Sequence, residues 1–163
     1  MLLAILSDTH LPRGRRTTIP PGCLAHCARA DAILHAGDLA DVSVIDELRS
    51  LGPPLHAVHG NVDSPAVCAM LPARLEVAFG AVRVGMVHAP GPPARRVHDL
   101  HAAFPRCDAV VFGHTHMPEL AEHRGFQIFN PGSPTERRRA PAHTMGLARV
   151  EGPRIDFELL ALD

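Results

Sequence analysis

The chain has 163 residues, of which 46% are hydrophobic and 20% charged, and its formal net charge is −1. These proportions are typical of a soluble globular protein, and they exclude a disordered chain and a membrane protein. The length predicts a single domain over residues 1–163.

The basic residues are all arginines, and they are scattered except for Arg13, Arg15 and Arg16 and for the run 137–139. Because a duplex-binding protein needs a long basic stripe, we expect no nucleic-acid partner. Four cysteines without a C-x-x-C pair predict reduced thiols and a cytoplasmic protein. Twelve histidines accompany no Tyr or Trp, and histidine is the commonest metal ligand, so their positions matter most.

Short apolar segments alternate with helix-length segments in the first half of the chain. The predicted strands are Leu2 to Leu6, Ala32 to His35 and Leu55 to His59, and the predicted helices are Gly22 to Ala30 and Ser43 to Leu51. Ser43 is the expected cap of the second helix. Strand-helix-strand repetition implies right-handed crossovers and a parallel sheet.

The pattern changes after a predicted loop that contains Pro65 and Pro72. Two alternating runs between Arg74 and His88 predict a hairpin that turns at Gly80-Ala81. The remaining predictions are a helix at Val97 to Phe104 and strands at Ala109 to Phe112, Phe126 to Phe129, Thr144 to Val150 and Arg154 to Leu160. Together these elements predict an α/β fold in which two mixed sheets pack as a sandwich with helices outside.

Five polar groups follow apolar runs, each where a strand is expected to end. They are Asp8-Thr9-His10, Gly37-Asp38, Gly60-Asn61, His88 and Gly113-His114-Thr115-His116. Because functional groups gather beyond the carboxyl ends of strands in α/β sheets, these five groups can converge on one cleft. The glycines let the backbone turn sharply and approach a ligand closely.

The side chains in these groups suit a metal site, since two Asp, one Asn and four His offer oxygen and nitrogen donors without thiolate. Residues i and i+2 of an extended segment face the same side, so we expect Asp8 and His10 to bind one ion together. The same spacing is expected to direct His114 and His116 into the site.

Asp-x-His, Gly-Asp-x-x-Asp, Gly-Asn-x-Asp, a strand-end His and Gly-His-Thr-His occur in that order. From Asp8 to about Ser133, this set resembles the calcineurin-like metallophosphoesterase superfamily. The short length and the stretch Asn130-Pro131-Gly132-Ser133 resemble its small bacterial and archaeal phosphodiesterase branch. The resemblance implies the four-layer fold of that superfamily and a phosphodiesterase activity on a small phosphate ester.

The resemblance also implies two divalent cations that share one carboxylate. The first would be held by Asp8, His10, Asp38 and His116, and the second by Asp38, Asn61, His88 and His114. Asp38, Asn61 and His88 are the residues it assigns to catalysis. Two such ions roughly 3.5–4 Å apart supply a bridging hydroxide for in-line attack on phosphorus. Manganese is the expected metal, with iron, nickel or zinc as alternatives, and a homodimer is implied by the resemblance alone.

One position departs from the family pattern. Many members carry Gly-Asn-His-Glu, whose His is thought to protonate the leaving oxygen or hold the phosphate, whereas this chain has Val62 in Gly60-Asn61-Val62-Asp63. We therefore expect a preference for activated leaving groups or phosphodiesters, or a substitute acid such as His59 or Arg13.

Several of these residues also have ordinary structural interpretations. Asp8 could be a turn or N-cap residue, Asn61 a left-handed turn residue, and Asp41 a helix cap or a support for a ligand. Asp63 could form a turn or orient a ligand. The remaining histidines are expected to be surface or structural residues: His26, His35, His56, His59, His98, His101, His123 and His143. Arg137 to Arg139 are expected to be solvated, with phosphate steering as the alternative.

Three other functions compete with a phosphodiesterase. The first is a non-catalytic interaction module, as in the retromer subunit that resembles this fold and has lost part of the site. The second is a phosphomonoesterase or nucleotidase. The third is a nuclease related to the double-strand-break repair phosphoesterases, which carry additional domains and for which this chain lacks a basic surface.

Overall fold

The computed structural model describes residues 1–14 and 17–162, so Arg15 and Arg16 of the first arginine group lie outside the described residues. The strands are β1 (Leu2–Leu6), β2 (Ala32–His35), β3 (Leu55–Ala57), β4 (Arg74–Phe79), β5 (Val82–Val87), β6 (Ala109–Val111), β7 (Glu119–His123), β8 (Phe126–Asn130), β9 (Thr144–Glu151) and β10 (Arg154–Ala161). The helices are α1 (Pro21–Arg29), α2 (Val42–Ser50), α3 (Pro65–Met70) and α4 (Arg96–Ala103), with a 3₁₀ turn at Pro93–Arg95 before α4.

The strands form two mixed sheets, as the sequence predicts. In the first sheet the order is β10-β9-β1-β2-β3, and β1, β2 and β3 run parallel. In the second sheet the order is β4-β5-β6-β8-β7, and β5, β6 and β8 run parallel. The parallel strands of each sheet therefore end at a common edge, and the loops that follow them carry the predicted donors.

The two sheets pack face to face, and helices cover their outer faces. Apolar side chains from both sheets, such as Leu3, Leu34, Val84, Met86 and Phe129, form the central core. A second core lies between the first sheet and helices α1 to α3, and a third lies beneath α4 on the second sheet. The result is the four-layer α/β sandwich that the resemblance implies.

The structure corrects three local predictions. The cap of α2 is Asp41, whose side chain accepts the Ser43 N–H at 3.0 Å, so Ser43 is not the cap. The predicted loop after Pro65 contains α3, because Ser64 accepts the Val67 N–H and a proline at the first helical position favours a helix start.

The third correction concerns strands. β7 was not predicted, since three of the 5 residues in its sequence Glu119-Leu120-Ala121-Glu122-His123 are polar and the strand lies at the edge of the second sheet. β3 ends at Ala57 rather than His59. The hairpin of β4 and β5 turns at Gly80-Ala81 as predicted. Within the described ranges, the structure contains no helix that is both long enough and apolar enough to cross a membrane.

Candidate metal centre

Seven polar side chains from five loops meet between the two sheets. Asp8 and His10 follow β1, Asp38 follows β2, and Asn61 follows β3 in the first sheet. From the second sheet come His88 after β5, and His114 and His116 after β6. The five loops that the sequence places at strand ends therefore converge as predicted.

Three of these side chains lie deep in the interior, and we call Asp8, His10 and His116 the inner donors. Asp8 and His116 are fully buried, and the side chain of His10 is 13% exposed. His116 Nε2 lies 3.4 Å and His10 Nε2 lies 3.9 Å from Asp8 Oδ1. One nitrogen or oxygen from each of the three falls within 4.8 Å of the other two, which is close enough to share one cation.

Three further side chains face the opening, and we call Asn61, His88 and His114 the outer donors. His88 Nε2 and His114 Nδ1 lie 3.1 Å and 2.9 Å from Asn61 Oδ1. His88 is buried, whereas Asn61 and His114 are exposed. Two of the outer donors, Asn61 and His114, therefore border solvent, in contrast to the fully buried inner donors Asp8 and His116.

Asp38 lies between the two sets. Its Oδ2 is 3.3 Å from His10 Nε2 and 3.2 Å from His88 Nε2, and its other oxygen accepts the Val62 N–H at 3.0 Å. A carboxylate in this position can contact cations on both sides. The geometry therefore fits the bridging role that the resemblance implies for Asp38.

The backbone directs these side chains in a way that the sequence did not predict. Asp8, His10, Asp38, His114 and His116 have φ values of 55°, 45°, 59°, 70° and 57°. The segments that carry them are thus left-handed at alternate residues rather than extended, which corrects the stated reason for their common direction. Such backbone is uncommon for non-glycine residues, and groups of such residues are found at functional sites.

Glycines make the close approach of the loops possible. A Cβ on Gly60 would lie 2.1 Å from Asp38 Oδ1, and a Cβ on Gly113 would lie 1.9 Å from Ser7 Oγ. At Gly37, where φ is 93°, a Cβ would lie 2.8 Å from His88 Nδ1. Any side chain at these three positions would displace a donor or its neighbour, so the glycines let the donor loops approach one another.

The histidine rings are oriented by hydrogen bonds on the nitrogen that faces away from the other donors. Nδ1 of His88 donates to the Ala36 carbonyl at 2.8 Å, and Nδ1 of His116 donates to the Glu136 carbonyl. In the neutral form of either ring this places the proton on Nδ1 and the lone pair on Nε2, which is the arrangement of a metal-binding histidine.

Negative charge and burial together perturb the titration of the centre. Burial lowers the pKa of His10, but hydrogen bonds to Asp38 and Asp8 outweigh it and raise the pKa to about 9. Burial raises the pKa of Asp38, but hydrogen bonds from His10, His88 and Val62 outweigh it and hold the pKa well below its ordinary value. In His88 burial is again outweighed by Asp38 and Asp8, and the pKa rises. The carboxylates of Asp8 and Asp38 therefore favour positive charge among the donors.

The donors fit a divalent cation. His116 Nε2 is buried, and among the described residues it has no hydrogen-bond partner, although it faces Asp8 Oδ1 at 3.4 Å. A buried polar atom without a partner is costly, and a cation between these two atoms would satisfy both. Carboxylate, amide and imidazole donors without thiolate suit Mn²⁺, Fe²⁺, Ni²⁺ or Zn²⁺.

Comparisons with known proteins agree with this geometry. A family model of the calcineurin-like phosphoesterase superfamily domain matches residues 1–152. The chain belongs to this superfamily. It is 33% identical over 162 residues to a probable metallophosphoesterase of Methanothermobacter thermautotrophicus, covering 98% of this chain and 92% of that protein. It is 31% identical over 142 residues to a probable metallophosphoesterase of Methanocaldococcus jannaschii, covering 85% of this chain and 70% of that one.

A solved structure of Vps29 has the same fold. The zinc complex of wild-type Vps29 from Entamoeba histolytica superposes with a TM-score of 0.78 at 22% identity, and the match covers 100% of both chains. At this identity the likeness concerns the fold alone.

Asp63 and Glu136 support the donors, although the sequence analysis left the role of Asp63 open and did not predict Glu136. Asp63, whose role the sequence did not decide, accepts the N–H groups of Asp38 at 3.0 Å, Ala40 at 2.6 Å and Gly60 at 2.6 Å. It therefore connects the loop after β2 to the loop after β3.

Glu136 was not predicted at all. Its carboxylate Oε2 lies 3.2 Å from His10 Nδ1, and its backbone carbonyl accepts a hydrogen bond from the His116 ring.

The segment from Asn130 to Thr135 donates hydrogen bonds to the backbone of the loops that carry the donors. Ser133 Oγ donates to the Asp8 carbonyl at 2.7 Å, and Thr135 Oγ1 donates to the Thr9 carbonyl at 2.6 Å. Asn130 Nδ2 donates to the Gly113 carbonyl at 3.1 Å. The motif that marks the small branch in sequence is thus a structural support for the inner donors.

The predicted substitutes for the missing acid lie in different places. Val62 is 43% exposed and lines a small cavity with His10 and Glu136. His59 lines a larger cleft with the outer donors, whereas Arg13 lines a separate cavity with Ser43 and Glu47. Of the two substitutes, the structure brings His59 to the donors. Residues 137–139 are exposed, as expected for solvated arginines.

His35 illustrates a structural histidine. Its buried ring lies 3.2 Å from Thr9 Oγ1 and accepts the Gly37 N–H at 3.2 Å, and burial lowers its pKa. It therefore connects two donor loops without joining the donor set, in agreement with the structural role expected for it.

Proposed function

We propose that this chain is a dinuclear metal-dependent phosphodiesterase that hydrolyses a small phosphate ester. The position of the Asp38 carboxylate carries the proposal, because one oxygen lies 3.3 Å from an inner donor and 3.2 Å from an outer donor. A shared carboxylate between two donor sets is the arrangement of a two-metal site.

Each donor has a defined part in this proposal. Asp8, His10 and His116 hold one cation with Asp38, and Asn61, His88 and His114 hold the other with Asp38. When bound, the pair lowers the pKa of water and neutralises charge on the phosphoryl oxygens. Manganese is the metal we propose, and the solved zinc complex of Vps29 supports a divalent cation on this fold.

The preference for diesters follows from Val62 and Glu136. Val62 carries neither a proton nor a charge, so it cannot assist a poor leaving group. The Glu136 carboxylate lines the cavity beside His10, where it repels the second negative charge of a phosphomonoester. A monoanionic diester avoids that repulsion.

We also propose that residues 1–163 form one domain that works in the cytoplasm on a small substrate rather than on nucleic acid. The four cysteines are free thiols, which agrees with a reducing compartment. A homodimer is part of the proposal only through the resemblance of the sequence.

The test uses protein stripped with a chelator and reloaded with Mn²⁺, Fe²⁺, Ni²⁺ or Zn²⁺. We expect two ions per chain and hydrolysis of bis(p-nitrophenyl) phosphate in preference to p-nitrophenyl phosphate. A single ion per chain, or a preference for the monoester, would contradict the proposal.

The second candidate is a non-catalytic interaction module, which the likeness to Vps29 favours. The donor set argues against it, because all seven donors that the resemblance implies are retained in this chain and converge. A reloaded protein that binds metal and hydrolyses none of a panel of monoesters, diesters and cyclic nucleotides would favour this candidate instead.

A further inference from the structure

A wide cleft adjoins the outer donors. Its volume is about 420 Å³, which lies within the range of roughly 300–1,000 Å³ that is usual for small-molecule pockets. Ala73, Val87, Ala89 and His59 line it together with the outer donors. The cavity beside the inner donors is smaller, at about 180 Å³. The bulkier part of a bound substrate therefore fits the cleft.

The cleft is uncharged except for its imidazoles. Among the described residues that line it, none is Arg, Asp or Glu. The side chains contributed by Ala73, Val87 and Ala89 are aliphatic and form no hydrogen bonds. Such a surface stabilises an apolar group by removing it from water, and outside the outer donors, which would hold a cation, it offers no partner to an anion.

Two arginines that flank the cleft segments in sequence, Arg74 and Arg96, are engaged elsewhere. Arg74 follows Ala73 directly, but its guanidinium lies over the Phe104 ring at 3.8 Å and pairs with Glu76 at 3.5 Å. Arg96 pairs with Glu119 and donates to the Gly91 carbonyl. Neither cation is available to a second phosphate or carboxylate in the cleft.

We infer that the cleft binds an uncharged aromatic or aliphatic ester group of the phosphodiester, and that the site selects against a second anionic group on the substrate. The inference rests on the proposed function for the phosphoryl position, and it names the class of substituent that lies beside it. The imidazole of His59 adds an aromatic surface to the cleft, which favours a planar group.

Two phosphodiesters with the same leaving group test the selectivity. They are p-nitrophenyl phenyl phosphate and p-nitrophenyl 4-carboxyphenyl phosphate, which differ by one carboxylate. We expect the manganese-loaded protein to show a kcat/KM at least tenfold higher for the phenyl ester. Equal values for the two esters would overturn the inference.

A gain-of-function variant and its matched control test whether the selectivity between the two diesters arises in the cleft. Ala73 is exposed and lines the cleft, and Ala69 is exposed on α3 and does not line it. Ala73→Arg is expected to reduce the tenfold ratio to threefold or less, because it supplies a cation to the carboxylate. Ala69→Arg is expected to leave the ratio unchanged, and equal changes in both variants would overturn the inference.

A binding measurement separates this inference from the proposed function. Isothermal titration calorimetry of the manganese-loaded protein is expected to show phenylphosphonate binding at least tenfold tighter than 4-carboxyphenylphosphonate. If this selectivity is found but neither diester is hydrolysed, the cleft assignment holds and the phosphodiesterase proposal fails. If both diesters are hydrolysed at the same rate and both phosphonates bind equally, the cleft assignment fails and the proposed function holds.

Discussion

The inner donors, which include the Asp8 carboxylate, and the outer donors, which include the Asn61 amide, differ in how they are held. The inner donors are enclosed by the loop from Asn130 to Glu136, which bonds to the backbone of Asp8 and to the His116 ring. The outer donors Asn61 and His114 are exposed beside a cleft of about 420 Å³. The difference indicates that the inner set is rigid before a metal binds, whereas the outer set is open to a ligand. We therefore expect the inner ion to bind more tightly and the outer ion to contact substrate.

The largest expected effect comes from the residue that both sets share. Supporting residues around a metal usually contribute 10- to 100-fold to affinity or activity, so loss of the shared ligand in Asp38→Asn should lower kcat by at least about 100-fold. Asp41→Asn is the control, because Asp41 is a nearby carboxylate that caps α2. Steady-state kinetics with an activated diester would measure both, and similar losses in the two variants would contradict the shared role of Asp38.

Replacing one histidine of each set tests whether the inner and outer donors bind different ions. His116→Ala should weaken binding of the tighter ion by about 100-fold, since it removes a direct ligand rather than a supporting one. His114→Ala should leave the tighter ion in place and affect only the weaker one. Calorimetric titration of the chelator-stripped protein with Mn²⁺ measures both steps. If His114→Ala removed the tighter ion instead, the assignment of the two sets would be reversed.

A smaller effect is expected from the residue that supports the inner donors. Glu136→Gln should weaken the tighter ion by about tenfold, because the carboxylate facing His10 loses its charge. Affinity for the second ion should stay within about twofold. Glu158→Gln is a matched control on β10, where Glu158 is exposed and remote from the donors. Equal losses at both steps would show that Glu136 stabilises the fold rather than the inner set.

The smallest effect concerns the pH dependence of stability. Burial lowers the pKa of His35 below its unfolded value near 6.5, so below that pH the unfolded chain binds a proton that the folded chain does not. His35 therefore contributes a loss of stability to the metal-free protein as the pH falls from 7 to 5, whereas His10 and His88, whose pKa values are raised, contribute in the opposite direction. Relative to the wild type, His35→Gln should gain stability as the pH falls over this interval in urea unfolding. A variant with the same pH dependence as the wild type would contradict this assignment.

The donor set could be predicted from sequence because each donor follows an apolar run, and strand ends of a parallel sheet share an edge. The same argument located Gly37, Gly60 and Gly113. It could not predict Glu136, since this residue lies in an irregular loop and reaches His10 only through the fold. It also gave the wrong reason for the direction of Asp8 and His10, because Asp and His adopt a left-handed φ in only a small fraction of cases and an extended segment was assumed.

The fold was predictable to the level of its layers and most of its strands. β7 was missed because its only apolar residues are Leu120 and Ala121, so it lacks the apolar run that marks a buried strand. α3 was not predicted because Pro65 was interpreted as a loop residue, although Ser64-Pro65 is also typical of a helix start. Both errors lie away from the strand ends, so neither affected the predicted site.

The central claim is that the inner and outer donors bind two cations through the shared Asp38 carboxylate. The direct measurement is anomalous diffraction from crystals soaked in millimolar Mn²⁺. We expect two peaks roughly 3.5–4 Å apart, one among the inner and one among the outer donors, with Asp38 bound to both. A single peak, or two peaks that do not share Asp38, would contradict the account.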